Sequence, residues 1–167
     1  MLHPILNRWR MSALIASAAM LATAHAFQTF GGYQPCTLCL RQREVYWVAA
    51  GVALAAMIVV RTPPGARLKA VANALLGLVF LVGAGVAIYH AGAEWKFWPG
   101  PTACSSGGVG VSADAMAALV GGESIRAARC DEAPWVFAGL SMAGWNALAS
   151  LSLAVLSLIA ALRERRR

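Results

Sequence analysis

Residues 70–90 read AVANALLGLVFLVGAGVAIYH, a stretch without a single acidic or basic side chain other than the terminal histidine. An α-helix needs about 20 such residues to cross the hydrocarbon core of a bilayer. Three more stretches approach that length: 11–30 (MSALIASAAMLATAHAFQTF), 44–60 (EVYWVAAGVALAAMIVV) and 144–162 (GWNALASLSLAVLSLIAAL). The second is the shortest and borrows Leu40 to Arg43 for its first turn. Small residues recur in these runs (Gly51, Gly77, Gly83, Gly85, Ser150, Ser152), and they let helices approach closely where lipid removes the hydrophobic drive. The reading is an all-α integral membrane protein, a four-transmembrane-helix bundle in a single domain over 1–167. Outer loops are predicted over 31–43 and 91–143, the longer one containing a short amphipathic helix.

Composition agrees. The chain is 59% hydrophobic and 13% charged, whereas soluble domains average about 45–50% apolar and about 25% charged residues. A soluble globule of this make-up lacks the polar surface to cover itself. No internal repeat, low-complexity segment or room for a separate soluble domain is found.

Charge predicts the orientation. Arg8, Arg10, Arg61, Arg67, Lys69, Arg163, Arg165, Arg166 and Arg167 share one side with a single acid, Glu164. The opposite side sets Arg41, Arg43, Lys96, Arg126 and Arg129 against Glu44, Glu94, Asp114, Glu123, Asp131 and Glu132. The positive-inside rule therefore predicts cytoplasmic termini, with the loops 31–43 and 91–143 outside. The net charge of +7 is thus a topology signal, and it argues for anionic membrane lipid as a contact and against nucleic acid. Residues 1–27 carry a competing reading, a secretory signal ending in Ala24-His25-Ala26. The apolar run continues through Phe27 and Phe30, past that point, which favours a retained helix; Cys36 lies outside either way.

All four cysteines fall outside the apolar runs, on that predicted outer side. Cys36 and Cys39 form a C-x-x-C at the lip of the second run; Cys104 and Cys130 lie in the long loop. Disulfides persist in such a compartment, and four cysteines allow three pairings, of which Cys36–Cys39 with Cys104–Cys130 is the local one. Two structural bridges would account for the loop pair. They account poorly for a four-residue ring beside a helix that already fixes its own backbone. Zinc is another use of paired cysteines, but the second pair lacks a knuckle spacing and zinc competes badly with oxidation there.

Cys39 starts a helix, where backbone N–H groups favour an anion. Arg43 follows at i+4 on the same face. Both effects favour the thiolate, the reactive form of the side chain. Arg43 has an alternative use as an interfacial arginine, and Arg41 reads as one. His90 closes the third run on the outer face, where it can serve a cofactor oxygen, shuttle a proton or simply be solvated. His25 reads as a packing residue, and His3 carries no signal. In the long loop, Trp95, Phe97 and Trp98 form an interfacial belt before Pro99-Gly100-Pro101. Ser112 is placed to cap a surface helix over 113–120.

The motif P-C-x-L-C-x-x-x-R (Pro35 to Arg43), Y-H-x-G-x-E-W-x-F-W-P-G-P (Tyr89 to Pro101) and Cys-Asp-Glu-Ala-Pro-Trp (Cys130 to Trp135), on four membrane helices, resemble the bacterial disulfide bond formation protein B family, DsbB, over nearly the whole chain. The resemblance implies an inner-membrane, quinone-dependent protein dithiol oxidase. It implies a membrane quinone (ubiquinone or menaquinone) as acceptor and a periplasmic DsbA-type thioredoxin-fold dithiol oxidase as donor. Carried over, Cys104 would be attacked by the reduced partner, Cys130 would then attack Cys36, and Cys39 would become the thiolate facing the quinone. Arg43 and His90 match quinone-side positions. A vitamin K epoxide reductase-like oxidoreductase also pairs C-x-x-C with loop cysteines, but in that family the loop pair comes early and the C-x-x-C late. A membrane scaffold with two structural disulfides is the non-enzymatic alternative.

Overall fold

A computed structural model describes residues 8–61, 68–101, 120 and 129–166. Cys104 and nearly all of the helix predicted over 113–120 lie outside the described residues. Among those described, four helices are long and apolar enough to cross a membrane: α1 (Trp9–Thr29), α2 (Thr37–Val59), α3 (Lys69–Glu94) and α4 (Met142–Arg165). Each packs mainly on its neighbours in the chain. The α3–α4 interface is the most extensive, and α1 reaches α3 and α4 only lightly.

The bundle is built inside out relative to a soluble protein. Large aliphatic side chains such as Ile15, Leu54, Ile58, Val71, Leu78 and Leu162 are exposed on its outer surface, where lipid tails are as apolar as they are. The interior is instead small or polar: Ala13, Ala49, Ala53, Ala87, Ser17, Ser150 and Ser157 are fully buried around Leu76 and Phe80. Gly83 shows why. A Cβ there would meet the Val45 Cγ1 of α2 at 2.8 Å and the Ser150 Oγ of α4 at 3.5 Å, so three helices converge on a position that only hydrogen fits.

Side-chain hydrogen bonds set which ends meet. Trp9 Nε1 donates to Ser157 Oγ (2.9 Å) and Arg10 Nη1 to Asn73 Oδ1 (3.3 Å). The start of α1 therefore lies beside the start of α3 and the last turns of α4. This is the arginine-rich end. The other end gathers the start of α2, the end of α3 and the start of α4. There a short hairpin, β1 (Val136–Phe137) with β2 (Leu140–Ser141), pairs antiparallel. Its two-residue turn has Ala138 at φ 50° and Gly139 at φ 79°, the left-handed conformations that a tight hairpin turn requires. Ser141 then caps α4 by accepting from Gly144 N–H at 3.1 Å.

At α2 the helix begins at Thr37, ahead of the Leu40–Arg43 turn expected to precede the apolar run from Glu44. The reason is local: Cys36 takes an extended conformation (φ −78°, ψ 172°) and its sulfur accepts from the Cys39 N–H, capping the helix. Cys39, Arg41 and Arg43 are thereby on the helix itself. Similarly, α3 runs on to Glu94. α1 continues unbroken through Ala24-His25-Ala26.

Candidate redox site

The site assembles where α2 begins and α3 ends. Cys36 is 5% exposed and His90 3%, and Cys130, delivered by the segment before the hairpin, is fully buried. Cys36 and Cys39 are free thiols with their sulfurs 2.9 Å apart; Cys130 is in a disulfide. Cys36 Sγ, a ring nitrogen of His90 and Cys130 Sγ all lie within 4.8 Å of one another. The Thr37 hydroxyl lies 3.5 Å from Cys130 Sγ. Two cysteines from distant parts of the chain thus meet at a buried position.

Cys36 receives several hydrogen-bonding groups. The Cys39 N–H approaches its sulfur at 3.3 Å and His90 Nε2 at 3.6 Å. The hydrogen bond shared with the Cys39 sulfur, reinforced by burial, pushes the Cys36 thiol well above its ordinary range. Cys39 is half-buried and sits on the rim, and the two side-chain charges acting on it, Glu94 and Arg43, are opposite in sign.

Arg43 is on the Cys39 face of α2, but its guanidinium also ties α1 to α2. Nη1 donates to Gln28 Oε1 (2.6 Å) and Nη2 to the Ala24 carbonyl (2.9 Å). Arg41 pairs with Glu44 at 2.8 Å on the exposed surface, as expected of an interfacial residue. His90 is not solvated: it faces Cys36, and its Nε2 stands 3.7 Å from Glu94 Oε1. His25, read as a packing residue, is exposed instead, its Nδ1 2.8 Å from the Leu21 carbonyl of its own helix. Trp95, Phe97 and Trp98 are exposed beside the end of α3, in keeping with a belt. Trp98 stacks on Tyr89 and donates Nε1–H to its carbonyl (2.8 Å).

Sequence reasoning did not find the polar residues behind the cysteines. Gln42, Asn146, Tyr46 and Ser150 form a buried hydrogen-bonded row ending on His90 Nδ1. Glu94 is also buried, and its Oε2 has no partner. A polar residue within an apolar run is the one signal that would have flagged Gln42 and Asn146, because such residues are expensive in a membrane and face inward.

A groove of about 690 Å³ opens between α2 and α3, lined by Leu38, Val45, Val82 and Tyr89 among others. Neither Cys39, Arg43 nor His90 lines it.

The profile of the disulfide bond formation protein DsbB family matches residues 7–160. The chain belongs to the DsbB family. It is 35% identical over 151 residues to the disulfide bond formation protein B of Methylococcus capsulatus, with 85% of each chain covered. It is 31% identical over 169 residues to that of Marinobacter nauticus, covering 95% of this chain and 94% of the relative. The protein from Aromatoleum aromaticum is 28% identical over 155 residues, 89% and 87% covered. No solved structure matches the chain. Membership makes this a multi-pass membrane protein of disulfide bond formation, with the disulfide oxidoreductase activity of the DsbB family.

Proposed function

We propose that the protein reoxidises a periplasmic DsbA-type thioredoxin-fold dithiol oxidase and passes the electrons to a membrane quinone, with Cys104, Cys130, Cys36 and Cys39 as the relay. The observation that carries this reading is the approach of Cys130 Sγ to Cys36 Sγ, within 4.8 Å, which is the approach that thiol–disulfide exchange between the two pairs requires.

In this reading the Cys130 disulfide is to Cys104. A thiolate of the reduced partner attacks Cys104 Sγ, and Cys130 leaves as a thiolate. Cys130 attacks Cys36 Sγ; the Cys36–Cys39 bond breaks and its electron pair leaves on Cys39. The partner's second thiolate then releases Cys104 and completes the partner's disulfide. Cys104 attacks Cys130, re-forming the loop bond and releasing Cys36. The net change is one disulfide gained by the partner and the Cys36–Cys39 pair reduced to a dithiol.

A quinone bound near this dithiol would supply a two-electron, two-proton acceptor. The residues present suit one: a half-buried sulfur at Cys39 and, one turn on, the Arg43 guanidinium, which can donate to a polar oxygen. Phase explains the two pairs. The acceptor is lipid-soluble and the donor water-soluble, so the pair at the bilayer edge serves one and the loop pair the other. The arginine-rich end is assigned to the cytoplasm and the cysteine end to the periplasm of a bacterial inner membrane, by the positive-inside rule.

The test is purified protein with reduced DsbA-type partner and a soluble ubiquinone analogue, following quinone reduction and loss of partner thiols together. Wild type should turn over with one quinone reduced per partner dithiol. Cys39→Ser and Cys104→Ser should each abolish it, and turnover at the wild-type rate in either would overturn the relay. A partner variant that keeps only its attacking cysteine should be held on Cys104 as a mixed disulfide, the Cys104–Cys130 bond breaking as the new one forms.

A further inference from the structure

Gln42 is 7% exposed on α2, and an amide inside a bilayer is tolerated only when both its ends are bonded. Its Nε2 lies 2.7 Å from His90 Nδ1. Its Oε1 accepts from Asn146 Nδ2. Asn146 Oδ1 in turn accepts from the Tyr46 hydroxyl, which leaves that hydroxyl oxygen to accept from Ser150 Oγ at 2.9 Å. Donors therefore point one way along the row, from Ser150 to His90.

An amide NH₂ has hydrogens and no acceptor to offer, so His90 Nδ1 must be the acceptor. A neutral imidazole carries its single proton on the other nitrogen. That nitrogen, Nε2, is the one 3.6 Å from Cys36 Sγ and 3.7 Å from Glu94 Oε1. We propose that Gln42 is a positioning residue that holds His90 in the neutral Nε2–H tautomer, aiming that N–H at the Cys36 sulfur.

The use of such a donor follows from burial. Cys36 is almost fully enclosed, and a buried thiolate is costly unless donors converge on it. The backbone N–H of Cys39 supplies one, and His90 Nε2, 3.6 Å away, supplies a second. On the relay reading, on which this role rests, Cys36 is released as a thiolate when Cys104 re-forms its bond to Cys130. The S–S bond between Cys130 and Cys36 breaks, and the electron pair stays on Cys36 beside the His90 N–H. The other ionisable groups around the ring are Cys39 from α2 and Glu94 from α3, with the Arg43 charge acting on Cys39; the disulfide sulfur of Cys130, from the segment before the hairpin, also lies close.

Two measurements test the assignment. In wild-type protein labelled with ¹⁵N-histidine, with His90→Gln used to assign the signal, the ring should show a protonated Nε2 and a bare Nδ1. A protonated Nδ1 would overturn the proposal without any variant having to fold. The second uses the full chain with Cys39→Ala, Cys104→Ser and Cys130→Ser, leaving Cys36 as the sole thiol, and follows its alkylation against pH. Gln42→Leu should raise the midpoint by about one pH unit, roughly a tenfold loss of thiolate at a given pH. Gln42→Glu should lower it, because a carboxylate accepts from Nδ1–H and leaves the ring doubly protonated. A purely structural role moves both variants the same way or neither, and either result sinks the proposal. No partner or quinone is present, so failure here is separate from failure of the relay, which is read as quinone reduction.

Discussion

At the scale of single residues, the Cys130 segment is held by its neighbour. The Asp131 carboxylate accepts from Arg129 Nε (3.0 Å) and Nη2 (2.9 Å) and from Lys96 Nζ (3.0 Å). Lys96 Nζ also reaches the Asp131 carbonyl, from a residue whose backbone is left-handed at φ 62°. These bonds, Arg129 first and Lys96 next, hold the Asp131 carboxyl well below the usual carboxylate range. The folded group binds its proton less readily than the unfolded one. Its stabilising contribution is therefore complete above the ordinary carboxylate range, near pH 4, and fades as pH falls further. Hydrogen exchange over residues 129–132 should accordingly be insensitive to this group from neutral pH to about pH 4, after intrinsic rates are divided out, and loosen below that. Asp131→Asn should show the loosened pattern already at pH 7. Unchanged protection in that variant would remove Asp131 as the anchor.

At the scale of elements, the fold depends on close approach between helices more than on the volume of any apolar side chain. Two glycines of α3 separate that effect from helix propensity. Gly83 faces Val45 and Ser150, whereas a Cβ on Gly85 meets nothing within 4 Å. Gly83→Val must displace a stiff, β-branched neighbour and should cost about 1–3 kcal/mol. Gly85→Val carries the same change in propensity into open space and should stay within about 0.5 kcal/mol of wild type. Thermal unfolding in detergent measures both; equal midpoints would mean that the α2–α3–α4 contact is not what sets stability.

At the scale of the whole molecule, the two ends of the bundle differ in kind. One end collects Arg8, Arg10, Arg61, Lys69, Arg163, Arg165 and Arg166, with Glu164 as the acid among them. The other places the buried site beneath the Lys96–Asp131–Arg129 cluster. Asymmetry of this sort orients a chain in the membrane. On a background with the native cysteines replaced by serine, Ala138→Cys should react with a membrane-impermeant thiol reagent in intact spheroplasts. Glu164→Cys should react only after permeabilisation. The reverse pattern would invert the topology and remove the cysteine end from the oxidising side.

Much was legible before any coordinates. The four helices follow from the apolar runs because a bilayer demands length and hydropathy, both one-dimensional properties. The end of the bundle that holds Cys36, Cys39, His90 and Cys130 follows from counting crossings. Their contacts do not. Whether His90 meets solvent, a cofactor or a sulfur depends on helix rotation, and a polar residue in an apolar run does not announce its partner. Gln42 bonds His90 across 48 positions and Asn146 across 104, and only the packing of α2 against α3 and α4 brings them together. Arg43 shows the same division. Its i+4 relation to Cys39 is helical geometry and could be read directly, but its two hydrogen bonds to α1 required knowing which helix lies alongside. By itself, the sequence determined the four apolar helices and the end of the bundle at which Cys36, Cys39 and Cys130 meet, because hydropathy and helix count act locally along the chain. The tertiary structure alone decided that Cys130 reaches Cys36, with an amide-held histidine beside them, because those contacts are set by distances between helices.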